Sequence, residues 1–83
     1  MPDRQRLDRV TFDPPIMGGR ACIRGMRITV ATVLDLLAAG ASIDEVLAEY
    51  PYLEREDVTQ ALAYAASLAR GDAVTPAPAA TVA

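Results

Sequence analysis

The 83-residue chain contains no His, no Lys and no Trp, a single Cys, and only four aromatic residues, Phe12, Tyr50, Tyr52 and Tyr64. Each absence closes off a class of function. One Cys cannot form a disulfide within its own chain. A lone thiol without His leaves no ligand set for a structural zinc site, and the alternating Asp or Asn of a calcium loop is missing. Cys22 as a nucleophile would need a base to raise its thiolate fraction, and His is absent, so a small core filler is the expectation for it. No apolar run approaches the length of a membrane span, and the polar start Met-Pro-Asp-Arg-Gln-Arg does not read as a secretory segment. The expectation is a cytoplasmic protein without membrane, metal or cofactor, its Cys22 reduced.

What is present is mostly small and aliphatic. Apolar residues make up 52% of the chain, but much of that is Ala, so deep burial falls to Val, Ile and Leu. A core of this size gains from a partner chain, which makes a homodimer the expected support. The net charge is −3, unevenly laid out. Residues 1–28 hold six Arg against three Asp, a local excess of +3, whereas residues 29–83 hold two Arg against eight acids, an excess of −6. A basic arm can neutralise phosphates or meet an acidic protein face. The acidic half repels a DNA backbone unless it is turned away.

Residues 1–8 read as a flexible N-terminus, residues 9–70 as a ribbon plus three-helix domain, and residues 71–83, rich in Pro and Ala, as a disordered tail. Arg9-Val10-Thr11-Phe12 is an extended stretch stopped by Asp13-Pro14-Pro15. Ala21-Cys22-Ile23, Arg24-Gly25 and Met26-Arg27-Ile28 read as a tight hairpin or bent ribbon with open edges. Thr29 caps a first helix whose inward residues are Val30, Val33, Leu34 and Leu37, ended near Gly40. Ser42 and Glu45 form a capping box at the start of a second, whose Ile43, Val46, Leu47 and Tyr50 face inward until Pro51. A third helix starts near Glu54 and closes at Arg70-Gly71. Its periodicity assigns Val58, Ala61, Leu62, Ala65 and Ala69 to the buried stripe and Glu56, Asp57, Gln60, Tyr64 and Ser67 to the opposite face. The fold class is mainly α, three helices with a helix-turn-helix, preceded by a short β-ribbon.

Two short-linked helices braced by a third form the plan that lays its last helix in a major groove. On that face Gln60 suits adenine, Tyr64 and Ser67 suit phosphate, and Thr59 lies at the margin, although Glu56 and Asp57 oppose a polyanion. Arg20, Arg24 and Arg27 on or beside the ribbon offer a second route to phosphates or to a partner's carboxylates. The competing reading is an ordinary three-helix core with a solvated acidic helix. Glu56 and Asp57 sit at a helix start where ordinary carboxylate behaviour is expected, and so small a domain offers no pocket, so the chain reads as a binding module and not an enzyme.

Phe12-Asp13-Pro14, the run from Gly19 to Val30 with its Arg24-Gly25-Met26-Arg27-Ile28 core, and the run from Ser42 through Tyr50-Pro51-Tyr52-Leu53 together resemble a small prokaryotic family. It is catalogued as domain of unknown function number four-three-three and grouped with VapB-like antitoxins. Met26 stands where that pattern usually has Thr. The resemblance spans roughly Arg9 to Ala69. It implies a homeodomain-like helix-turn-helix behind a short ribbon, often encoded beside a PIN-like ribonuclease toxin that it neutralises, with repression of its own operon through operator DNA. No catalytic residues come with it. The alternative is a protein-interaction adaptor without DNA binding.

Overall fold

A computed structural model describes residues 7–71 and 76–78. The chain enters through strand β1, Leu7–Phe12, passes a 3-10 turn at Met17–Gly19 and pairs back as β2, Cys22–Ile23, antiparallel to β1 with Val10 opposite Ile23 and Thr11 opposite Cys22. Helices α1 (Val30–Ala38), α2 (Ile43–Glu49) and α3 (Arg55–Arg70) follow, and a last strand, β3 (Pro76–Pro78), runs parallel to β1 on its other side, giving the sheet order β2-β1-β3. Three helices behind a two-stranded antiparallel ribbon make a mainly α fold, as the sequence pattern predicts.

Two of the sequence boundaries move. Leu7 and Asp8, assigned to the flexible N-terminus, belong to β1. Leu7 is 2% exposed and sits in the core, and Asp8 is held by Gln60. Pro76–Pro78, assigned to the tail, forms β3. The remainder of the two assigned end segments, apart from Gly71, lies outside the described residues.

Directly after β2 the chain reverses at Arg24-Gly25, and the Ile23 amide donates to the Ile28 carbonyl at 3.1 Å. Arg24 and Gly25 have positive φ, +48° and +71°, and the Met26 amide donates to the Ile23 carbonyl at 2.8 Å, so the pair forms the central residues of a tight two-residue turn of the kind that suits strand twist. Gly25 accepts that backbone without cost, and Arg24 is held in it by its own side chain, described below. The Thr11 hydroxyl receives the Gly25 amide at 2.8 Å and closes the turn onto β1. Thr11→Val, which keeps the shape and removes this acceptor, is expected to lower stability by about 1 kcal/mol. The urea midpoint falls while the slope of the transition stays unchanged.

The helix limits follow local chemistry. Thr29 Oγ accepts from the Thr32 amide at 3.1 Å, and Ser42 and Glu45 exchange both bonds of a capping box, 2.7 and 3.0 Å. Gly71, with φ +81°, closes α3 by donating to the Leu68 and Ser67 carbonyls, a left-handed cap that side chains other than Gly resist. Between α2 and α3, Pro51 stops the helix, the Leu53 amide returns to the Tyr50 carbonyl at 2.9 Å, and Leu53, 5% exposed, plugs the turn. The core gathers Leu7, Val10, Ile23 and Ile28 from the ribbon, Val30 and Val33 from α1, Val46 from α2, Leu53 from the turn, and Val58 and Ala61 from α3. Cys22 is a buried, free thiol, and burial pushes its pKa up while the charge of Arg20 offsets part of that rise.

Candidate functional site

The buried face of α3 is wider than its apolar stripe. Val58 and Ala61 are fully buried as the period predicts, but Leu62 is 44% exposed and Ala69 is exposed, whereas Asp57, Gln60 and Ser67 are buried and Tyr64 is half-buried. The periodicity therefore misassigns one side of the helix. The reason is β1, which lies along the polar side of α3 and provides partners for short polar groups that would otherwise have to face water. Gln60 Oε1 accepts from the Arg9 amide at 2.9 Å, and Gln60 Nε2 donates to Asp8 Oδ1 at 2.8 Å and Glu56 Oε2 at 3.3 Å. Tyr64 meets Phe12 edge-on with ring centres 6.2 Å apart. Every buried side-chain nitrogen and oxygen among the described residues has a partner.

At the start of α3 sits the centre of this interface. Asp57, with a side chain wholly shielded from solvent, receives Arg24 Nε at 3.0 Å and Arg24 Nη2 at 2.8 Å, Arg9 Nη1 at 3.0 Å, and the Glu54 amide at 2.8 Å. The same Arg24 Nη2 donates to the Tyr52 carbonyl at 3.0 Å, and Arg9 Nη1 to Glu54 Oε1 at 2.6 Å. Burial alone pushes the Asp57 carboxyl up. The bonds from Arg24, the Glu54 amide and Arg9 outweigh it, and the carboxyl titrates below its ordinary range. The Arg9 pKa is raised in turn by its bonds to Glu54 and Asp57, and that of Arg24 by its bond to Asp57. The clamp joins β1, through Arg9, and the turn after β2, through Arg24, to the helix-turn-helix.

The residues proposed from sequence thus separate. Gln60 and Ser67 are inside, Tyr64 is partly covered, and none of the three lies on the outward face from which bases are read. Arg24 is engaged with Asp57 and Tyr52. Thr59 is exposed, its hydroxyl donating to the Arg55 carbonyl at 3.2 Å. Arg20 and Arg27 are exposed and enter no ion pair among the described residues. Sequence reasoning missed Arg9 and misjudged Asp57. The Glu54-x-x-Asp57 spacing is itself a capping pattern, but the charged partners of Asp57 lie 33 and 48 residues away, at Arg24 and Arg9, where no local rule points.

The outward face of α3 carries Arg55, Thr59, Leu62, Ala66, Ala69 and Arg70, and Leu68 in the last turn is 58% exposed. Arg55 pairs with Asp44, fastening the start of α3 to that of α2. On the same two-helix unit Asp44, Glu45 and Glu49 of α2, Glu54 before α3 and Glu56 within it are exposed. The surface of the bihelical unit is therefore acidic with apolar side chains among the charges.

Fold and site together define a small ribbon-plus-helix-turn-helix domain whose polar helix face is spent on its own ribbon. Residues 10–65 match the family described as protein of unknown function DUF433, and the chain belongs to that family. It is 39% identical over 56 residues to the uncharacterized protein y4eO of Sinorhizobium fredii (strain NBRC 101917 / NGR234), a match covering 68% of this chain and a quarter, 25%, of the length of that relative. No solved structure matches the chain significantly. Among the described residues no helix is long and apolar enough to cross a membrane.

Proposed function

We propose that this domain is the partner-binding module of a type II toxin-antitoxin pair, acting in the cytoplasm and neutralising a PIN-like ribonuclease by covering it. The family likeness to VapB-like antitoxins supplies the class of partner. The observation that favours protein over DNA as the main ligand of α3 is the burial of Gln60 and Ser67. Once that face is committed to β1, the outward side offers Leu62, Ala66 and the adjoining acids, a mixture that suits the basic RNA-binding surface of a nuclease and opposes a polyanion. No catalytic step is assigned to the chain.

The test is titration of the full chain against the PIN-like nuclease encoded beside it, read by calorimetry and by loss of RNA cleavage. Leu62→Glu, on the exposed face, is expected to weaken binding by about a hundredfold, the effect of a central apolar contact, while its melting temperature stays that of the wild type. Wild-type affinity in the variant, or no binding by either protein, overturns the reading.

A second reading, operator binding and self-repression, is favoured by Arg20 and Arg27, which are exposed and enter no ion pair among the described residues. It routes DNA contact through the ribbon side and not through α3. Under it, a mobility shift weakens steeply with salt, and Arg27→Ala reduces the salt slope by about one unit.

A further inference from the structure

The outer edge of β1 supports an inference that is independent of the toxin-binding reading. Arg9 turns both backbone groups to the inner side, its carbonyl accepting from the Arg24 amide at 2.8 Å and its amide donating to Gln60 at 2.9 Å. Successive residues of an extended strand turn these groups to alternate edges, so Asp8, Val10 and Phe12 present theirs to the edge that β3 covers. β3 is a poor cover. Pro76 and Pro78 have no amide hydrogen, which leaves Ala77 as the one donor of the three. The register also slips: Leu7 pairs with Pro76 and Thr11 with Ala77, so a single step of β3 answers four of β1.

We infer that this edge is where a second copy of the chain docks, β1 against β1 in antiparallel sense, displacing β3 and building one continuous sheet in the order β2-β1-β1-β2. The strand fits itself. A two-fold axis through Val10 sets Val10 opposite its counterpart and Asp8 opposite Phe12 of the second copy, so the outward backbone groups of one strand meet those of the other. β1 contains no proline and brings every amide that β3 lacks. Half of the ten buried core residues are valines, in a domain small enough to gain from association. The tail competes from its own chain at an effective concentration on the order of millimolar, so the dimer forms at high protein concentration and is held back at low.

Sedimentation equilibrium on the full chain tests this. Ala77→Pro removes the last donor of β3 without touching β1 or the helices, and it is expected to tighten self-association by about tenfold. Far-UV dichroism and melting confirm that the fold is kept. In the dimer, hydrogen exchange slows at the Val10 and Phe12 amides, and Leu62→Glu leaves the association constant unchanged, which separates this edge from the outward face of α3. Self-association unchanged or weakened by Ala77→Pro, a dimer dissolved by Leu62→Glu, or a dimer without added protection in β1 overturns the inference.

Discussion

Asp57→Ala is expected to lower the unfolding free energy by about 3 kcal/mol, the largest loss from any single polar side chain in the domain. Removing one partner of a buried pair costs about 3–5 kcal/mol because the charge left behind has no counter-ion. Here the guanidinium groups are partly solvated, with side chains 27% exposed at Arg9 and 35% at Arg24, which softens that term. The lost cap on the Glu54 amide restores about 1 kcal/mol of it. A domain of this size is worth on the order of 5 kcal/mol in total. The variant therefore sits near the edge of folding, and a urea titration shows its midpoint shifted to well under half that of the wild type. Asp57→Asn keeps the size and part of the cap and should fall between the two. A loss below about 1 kcal/mol for Asp57→Ala would show that ribbon and helix are held by apolar packing alone.

The same carboxylate sets a pH dependence with a definite sign. Because the folded pKa lies below the unfolded one, the stabilisation from Asp57 is fully present above the ordinary carboxylate value of about 4 and is lost as pH falls through the folded value. The stability difference between wild type and Asp57→Asn is then level from about pH 5 to 7 and narrows below about pH 4. Arg9 and Arg24 stay charged throughout, so the narrowing belongs to Asp57.

Local rules made much of this fold legible. Thr29, the Ser42/Glu45 box, Pro51 and Gly71 act within a turn or two of the backbone they terminate, and each does in the structure what its chemistry dictates. Val33, Val46, Val58 and Ala61 lie on their helices where the period puts them. Legibility ends where a polar residue is satisfied from far away. Gln60 is indistinguishable in sequence from a solvated glutamine, and its burial follows from an amide at Arg9 and a carboxylate at Asp8, about fifty positions upstream. With β1 occupying that side, the exposed face of α3 turns toward Leu62 and Ala66, and the residues offered for base reading become fold residues. Arg24 changes roles for the same reason: in the sequence it is one basic residue among several, and in the fold its left-handed backbone aims the guanidinium at Asp57.

Leu53→Ala is the second large effect, and it tests whether the bihelical turn is a packed joint or a loose connector. Leu53 is 5% exposed between α2 and α3, and truncating a buried leucine costs about 2–5 kcal/mol through lost transfer energy and the cavity left behind. The element that suffers most is α2. With seven residues it is far below the length at which a helix stands alone in water, so its order derives from Val46, the half-buried Ile43 and Leu47, and the plug beneath them. The expected result is a loss of about 3 kcal/mol, with hydrogen exchange of the α2 amides accelerating more than that of α3. Tyr52→Ala, one position away but 52% exposed, is expected to cost under about 0.5 kcal/mol. Equal losses at positions 52 and 53, or α2 amides no faster than those of α3, would mean that the turn is held by its backbone bond and Pro51 and not by the leucine that fills it.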